Sequence, residues 1–177
     1  MGVFRLNHAV LYVRDVQRSV AFYREALGFE PLKDMAELRG AAFLQAPGST
    51  NDHDLGLFEV GAHATDSGAG RQSVGLYHLA WEVQTLSDLE EIADRLTRMG
   101  ALSGASDHST TKALYAKDPD NLEFEVSWLV PADLITDEIL AGRSHIAPLD
   151  IEREKQRFGA KTLGGIGISV PVGAPAR

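Results

Sequence analysis

Two leucine-x-histidine segments, Leu6-Asn7-His8 and Leu76-Tyr77-His78, and one late carboxylate, Glu125, are the residues of this sequence best suited to chemistry. Two imidazoles and one carboxylate carried on separate strands can form a facial triad on an octahedral metal and leave its remaining positions open, the arrangement typical of non-haem Fe(II) oxygen chemistry. The chain has no cysteine, so a metal site in it must be built from imidazole and carboxylate alone. Taken singly, each of these histidines reads as a hydrogen-bonded strand residue and Glu125 as a surface carboxylate. A histidine at the same place in two repeated strands, with a carboxylate late in the second, is harder to explain by packing.

The elements that must position these residues follow from an internal repeat, LNHAVLYVRDVQRSVAFYREALGFE in the first half and LYHLAWEVQTLSDLEEIADRLTRMGA in the second. Asp15 is a plausible N-cap for a first helix carrying Val16, Val20, Tyr23 and Leu27 at helical spacing and ending at Gly28. Ser87 with Glu90 suggests a capping box for the second, whose apolar stripe is Leu89, Ile92, Ala93 and Leu96 and whose stop is Gly100. Three strands are expected after each helix, near 29–36, 41–46 and 54–60, then near 101–107, 112–117 and 122–128, so each half reads βαβββ. The Gly/Ser/Thr-rich stretch 61–75 is a connector. The layout is therefore module 1 at 1–60, module 2 at 76–130, and an extension at 131–177 with short helices near 132–141 and 149–158.

Strand parity sorts the candidates further, because alternate side chains face opposite sides of a sheet. Leu122, Phe124, Val126 and Trp128 share an apolar face, which leaves Glu123, Glu125 and Ser127 to line a cavity on the other. His53, Leu55, Leu57 and Glu59 share a face in the same way, and position alone does not choose between His53 and Glu59.

Bulk properties narrow the function classes. The chain has 177 residues, 44% hydrophobic and 24% charged, with no apolar run long enough to span a bilayer. Its net charge of −8, with scattered basic residues, argues against nucleic acid as a partner. The N-terminus enters a strand pattern directly, and a cytoplasmic location is expected.

The paired βαβββ modules, their Leu-x-His starts and the segment DPDNLEFE resemble the vicinal oxygen chelate superfamily over about residues 4–130. Within it, DHSTTKALYAKDPDNLEFE and NDHDLGLFEV look most like the one-domain type I extradiol dioxygenases, similar to catechol 2,3-dioxygenase. Asn121 stands where that family's turn has glycine, a substitution that a left-handed turn tolerates.

The resemblance implies an α+β fold of two tandem modules whose curved mixed sheets form an open half-barrel around the metal, followed by the C-terminal tail. It also implies Fe(II), with Mn(II) as the alternative ion, held by His8, His78 and Glu125. A small aromatic diol and O2 would be the substrates, in a homo-oligomer. His53 would be the acid–base residue beside the oxygen site, and His108 and Tyr115 would hydrogen-bond the substrate oxygens.

Two rival readings remain. A glyoxalase-like isomerase or lyase would add Glu59 as a fourth ligand and use Ni(II) or Zn(II). A metal-free protein would hold an aromatic drug in the same cavity.

Overall fold

The computed structural model describes residues 2–3, 5–33, 38–70 and 72–165. The first repeat folds as β1 (Ala9–Val13), α1 (Val16–Leu27), β2 (Glu30–Pro31), β3 (Ala41–Gln45) and β4 (Leu55–Glu59). The second folds as β5 (Leu79–Glu82), α2 (Leu86–Arg98), β6 (Leu102–Asp107), β7 (Thr111–Lys117) and β8 (Glu123–Leu129). Both halves are thus βαβββ, and both use the same strand order, β1-β4-β3-β2 in one sheet and β5-β8-β7-β6 in the other. The first strand of each pairs in parallel with the last, and the remaining pairs are antiparallel.

The helices start and stop for local reasons. Asp15 accepts a hydrogen bond from Arg18 N at the start of α1, and Gly28 ends it at φ 76°, a left-handed conformation that glycine adopts without cost. In α2 the cap lies two residues before the Ser87 position expected from sequence. Thr85 and Asp88 satisfy each other's backbone N–H groups, and Leu86 thereby joins Leu89, Ile92 and Leu96 as the buried stripe. The α1 stripe is likewise Val16, Phe22, Tyr23 and Ala26, while Val20 and Leu27 are only half-buried. The strand expected at 29–36 is two residues long within its described part, and positions 34–37 fall outside the described residues.

The expected open half-barrel is not what the chain forms. Two separate sheets of four and five strands are present, each open, with β1 and β2 at the edges of the first and β5 and β9 (Ala147–Pro148) at the edges of the second. Binary pattern dictates which face of a strand is buried, but curling needs register stagger and bulges in addition. Among the described residues a register irregularity falls between Leu102 and Gly104 of β6. The edge strands β2 and β9 are two residues each, too short to continue a ladder.

The chain divides into two compact units, Met1–Gly68 with Asp118–Leu122, and Ala69–Lys117 with Glu123–Arg177. The first is built on Val13, Phe22, Tyr23, Phe29, Leu44, Leu55 and Leu57, all buried. Its Arg14 guanidinium binds Asp120 at 3.0 Å, Asp66 at 2.6 Å and the carbonyl of Ala64, which ties the start of the connector to the β1–α1 turn.

The second unit includes the described part of the tail: a 3-10 turn (Ala132–Leu134), α3 (Asp137–Gly142), β9 and α4 (Ile151–Phe158). Trp128, fully buried, packs its ring on Phe158 at 5.6 Å and donates its indole N–H to the carbonyls of Gln84 and Thr162. Among the described residues no helix is long and apolar enough to cross a membrane.

Asp118, in the first unit, accepts hydrogen bonds from Tyr23 Oη (3.1 Å), Asp120 N (2.8 Å) and Leu122 N (2.9 Å). Burial raises its carboxyl above the ordinary carboxylate value, against the opposing pull of these hydrogen bonds. A raised folded-state value means that its contribution to stability is fully present below the ordinary value and is lost as pH rises through the raised one. Asp118→Asn keeps the Oδ1 acceptor of the Asp120 and Leu122 N–H groups, presents an amide N–H to the Tyr23 hydroxyl, which can accept it, and cannot ionise. Urea midpoints measured from pH 3 to pH 7 should show the wild type losing stability relative to Asp118→Asn as pH rises, and a constant difference would refute this.

Candidate functional site

In the second unit, β8 lies between β5 and β7, so Glu125 is flanked by Ala80 on one side and Tyr115 on the other. Phe124, Val126 and Trp128 are buried on the opposite face, as their alternation requires. His78 precedes β5 with the parity of Ala80, which brings its Nε2 to 3.3 Å from Glu125 Oε2. Two donors about 2.1–2.2 Å from one octahedral ion and at right angles to each other lie about 3.0–3.1 Å apart, so this pair fits two adjacent ligands of a divalent metal. The other ring nitrogen, His78 Nδ1, is buried with no hydrogen-bond partner.

The pair continues outward. Tyr115 stands opposite Glu125 in the β7–β8 register, and its hydroxyl lies 2.8 Å from His108 Nε2. Burial first, then the charge of Glu125, pushes the phenol up to about 12, so the hydroxyl stays protonated at neutral pH. The phenol hydroxyl and His108 Nε2 are thus a hydrogen-bonded pair, with the charge of Glu125 acting on the same hydroxyl. Such a pair can hold a proton at Tyr115 Oη.

In the first unit, His8 and His53 are brought together, with ring centroids 4.5 Å apart. His53 also stands edge-on to Phe43 at 5.0 Å, and its Nδ1 lies 2.8 Å from Asp52 Oδ2. A carboxylate can only accept, so Nδ1 carries the proton and the lone pair of a neutral His53 sits on Nε2. His8 Nδ1 is similarly placed 2.8 Å from Asn7 Oδ1, which directs the lone pair of His8 to Nε2. These orienting partners, Asn7 and Asp52, each adjoin their histidine in sequence, a signal that motif reading passed over.

Glu59 goes elsewhere. The parallel register pairs Ala9 with Leu55 and Val13 with Glu59, which leaves Glu59 five residues along the sheet from His8, roughly 16 Å at about 3.3 Å per residue. Its carboxylate accepts from Val16 N at 3.1 Å and so caps the N-terminus of α1.

Of the sequence-predicted residues, the structure thus gathers His78, Glu125, Tyr115 and His108 within one unit, and His8 with His53 within the other. Among the described residues, no group of three or more His, Cys, Asp or Glu side chains is assembled for a metal.

Residues 5–126 match the family described as Glyoxalase/Bleomycin resistance protein/Dioxygenase superfamily. The chain is 31% identical over 100 residues to Metapyrocatechase 2 of Cupriavidus necator, covering 56% of this chain and 27% of that protein. It is 31% identical over 121 residues to Catechol-2,3-dioxygenase of Bacillus subtilis, 68% of this chain and 40% of that one. The matches therefore span less than half the length of these two relatives. Lactoylglutathione lyase of Neisseria meningitidis is 28% identical over 125 residues, 68% of this chain and 88% of the lyase. Among solved structures, a glyoxylase/bleomycin resistance protein/dioxygenase domain from Frankia sp. superposes with a TM-score of 0.61 at 26% identity, covering 73% of this chain and all of that one. The fosfomycin resistance protein FosX of Listeria monocytogenes shares the fold, with a TM-score of 0.54 at 19% identity over 80% of this chain and 99% of its own.

The geometry separates Glu125 from Glu59. Glu125→Ala should weaken Mn(II) binding at least 100-fold by calorimetry, whereas Glu59→Ala should leave it within about twofold and lower the melting temperature by about 2–4 °C through loss of the helix cap. A large loss of metal affinity in Glu59→Ala would reinstate it as a ligand.

Proposed function

From the premise that the chain belongs to the glyoxalase/bleomycin resistance protein/dioxygenase superfamily, we propose that it is a metal-dependent enzyme acting on a small organic substrate. The proposed ligands are His8, His78 and Glu125, and the single observation that carries the reading is the 3.3 Å approach of His78 Nε2 to Glu125 Oε2. A divalent ion held there would polarise adjacent substrate oxygens and set the orientation of the substrate. Tyr115, neutral at working pH, supplies a hydroxyl to a substrate oxygen or to Glu125, and His108 holds that hydroxyl in place.

The comparisons weight the chemistry toward the isomerase or lyase side. The match spans nearly the whole length of the lactoylglutathione lyase but only a part of each dioxygenase. The reading proposed on that side has three protein ligands, since Glu59 is occupied at the α1 N-terminus.

A second reading, extradiol cleavage of a catechol-type diol with O2 and Fe(II), keeps one specific support. His53 lies against His8 with its proton directed to Asp52, and the lone pair on its other nitrogen suits it to acid–base work.

Protein purified without oxygen and loaded in turn with Fe(II), Mn(II), Ni(II) and Zn(II) separates these readings. Oxygen-independent formation of a thioester, followed by its absorbance, from the hemithioacetal of glutathione and a 2-oxoaldehyde supports the isomerase or lyase reading. Oxygen uptake matched by a yellow product from a catechol panel, with Fe(II) alone, supports ring cleavage. In that case His53→Phe should retain the metal and lose at least about 100-fold in turnover. Failure to bind any divalent ion would overturn the shared proposal and leave a metal-free binding protein.

A further inference from the structure

Lys112 is fully buried on β7, where the parity of Leu114 and Ala116 places it on the apolar face of the sheet, opposite Tyr115. A buried ammonium is tolerated only when its charge and protons are satisfied. Here Nζ lies 2.5 Å from Asp107 Oδ1, 2.8 Å from Glu154 Oε2 and 3.2 Å from the carbonyl of Ser109, and 5.5 Å above the ring of Phe158. Its partners thus come from the end of β6, from the turn between β6 and β7, and from the tail helix α4. That turn carries His108.

The elements α3 and β9 meet the same turn. Ser109 holds a left-handed φ of 69°, unusual for a residue with a side chain, and is kept there by two hydrogen bonds. Its N–H donates to Asp107 Oδ1 at 2.7 Å, and its hydroxyl donates to the carbonyl of Ile139 in α3 at 2.7 Å. Gly142, at the end of α3, is pressed so close that a Cβ there would lie 2.6 Å from Ser109 Oγ. The strand β9 pairs with Ser106 and Asp107, the residues that lead into the turn.

We propose that Lys112 is a positioning residue, and that α3, β9 and α4 form with it a frame that holds the turn so that His108 Nε2 meets Tyr115 Oη. Lys112 reaches the site only through His108, because it stands on the other face of the sheet. The inference rests on the reading that His108 and Tyr115 act at the site, and it assigns the C-terminal segment a functional task in addition to covering the core.

The test uses the full chain labelled with 15N-histidine, with the ring signals of His108 identified by their loss in His108→Gln. Tyr115→Phe supplies the reference for a His108 without its hydroxyl partner. Lys112→Met, Ser109→Ala and Gly142→Ala should each move the His108 ring nitrogens toward the Tyr115→Phe positions and leave those of His63 unmoved. Ser109→Ala and Gly142→Ala leave no buried charge unpaired, so they report even where Lys112→Met does not fold. Folded variants with a lower melting temperature and wild-type His108 signals would overturn the proposal and reduce the network to a stabilising clamp. These signals need no substrate, whereas full turnover by His108→Gln would remove His108 from the reaction without touching the frame, so the two failures are distinguishable.

Discussion

The burial of Phe124, Val126 and Trp128 on one face of β8 is the constraint from which the second unit's chemistry follows. A strand has a side-chain period of two, and a slip of one residue would carry all three into solvent and Glu125 into the core. With the register held, Glu125 is obliged to face the other side, where β5 delivers His78 and β7 delivers Tyr115. The hydrophobic cost of misplacing a fully buried tryptophan and its neighbours, about 1.5–3 kcal/mol for each large side chain, exceeds anything the polar face could gain in exchange. The position of the carboxylate is in that sense a by-product of packing.

The first unit shows the same logic with a different outcome. Leu55 and Leu57 are fully buried in β4, and their parity puts Glu59 on their face of the strand. Parity alone therefore made Glu59 a candidate equal to His53. Register and a local demand separated them. The parallel pairing with β1 sets His53 beside His8, and the unpaired N–H groups at the start of α1 draw the carboxylate of Glu59. A helix N-terminus and a metal compete for the same kind of group.

The described part of the tail adds β9 to the second sheet and packs α4 beside α2, with Phe158 against Trp128. Beyond burying Trp128 against Phe158, it supplies Glu154 as a second carboxylate to the buried lysine that Asp107 also holds. A fully buried Lys–Glu contact is a costly way to gain stability compared with apolar packing of the same volume. Its use at the base of the turn that holds His108 is consistent with a requirement for one defined geometry, which apolar contacts would specify less strictly.

From the sequence by itself, the repeat, the two βαβββ modules, the caps at Asp15 and Gly28, and the candidacy of His8, His78 and Glu125 were legible, because each depends on spacing along one short segment, whereas His108 and Tyr115 became candidates only through the family resemblance. The cap of α2 was misread by two residues, since Thr85 and Ser87 are both competent and only the buried stripe that includes Leu86 decides between them. Open sheets in place of a half-barrel, the diversion of Glu59 to a helix, and the burial of Lys112 between Asp107 and Glu154 were decided by tertiary structure alone. Each of these depends on which strand edges pair and which distant charges meet, and pairings between segments far apart in the chain leave no periodic trace in the sequence.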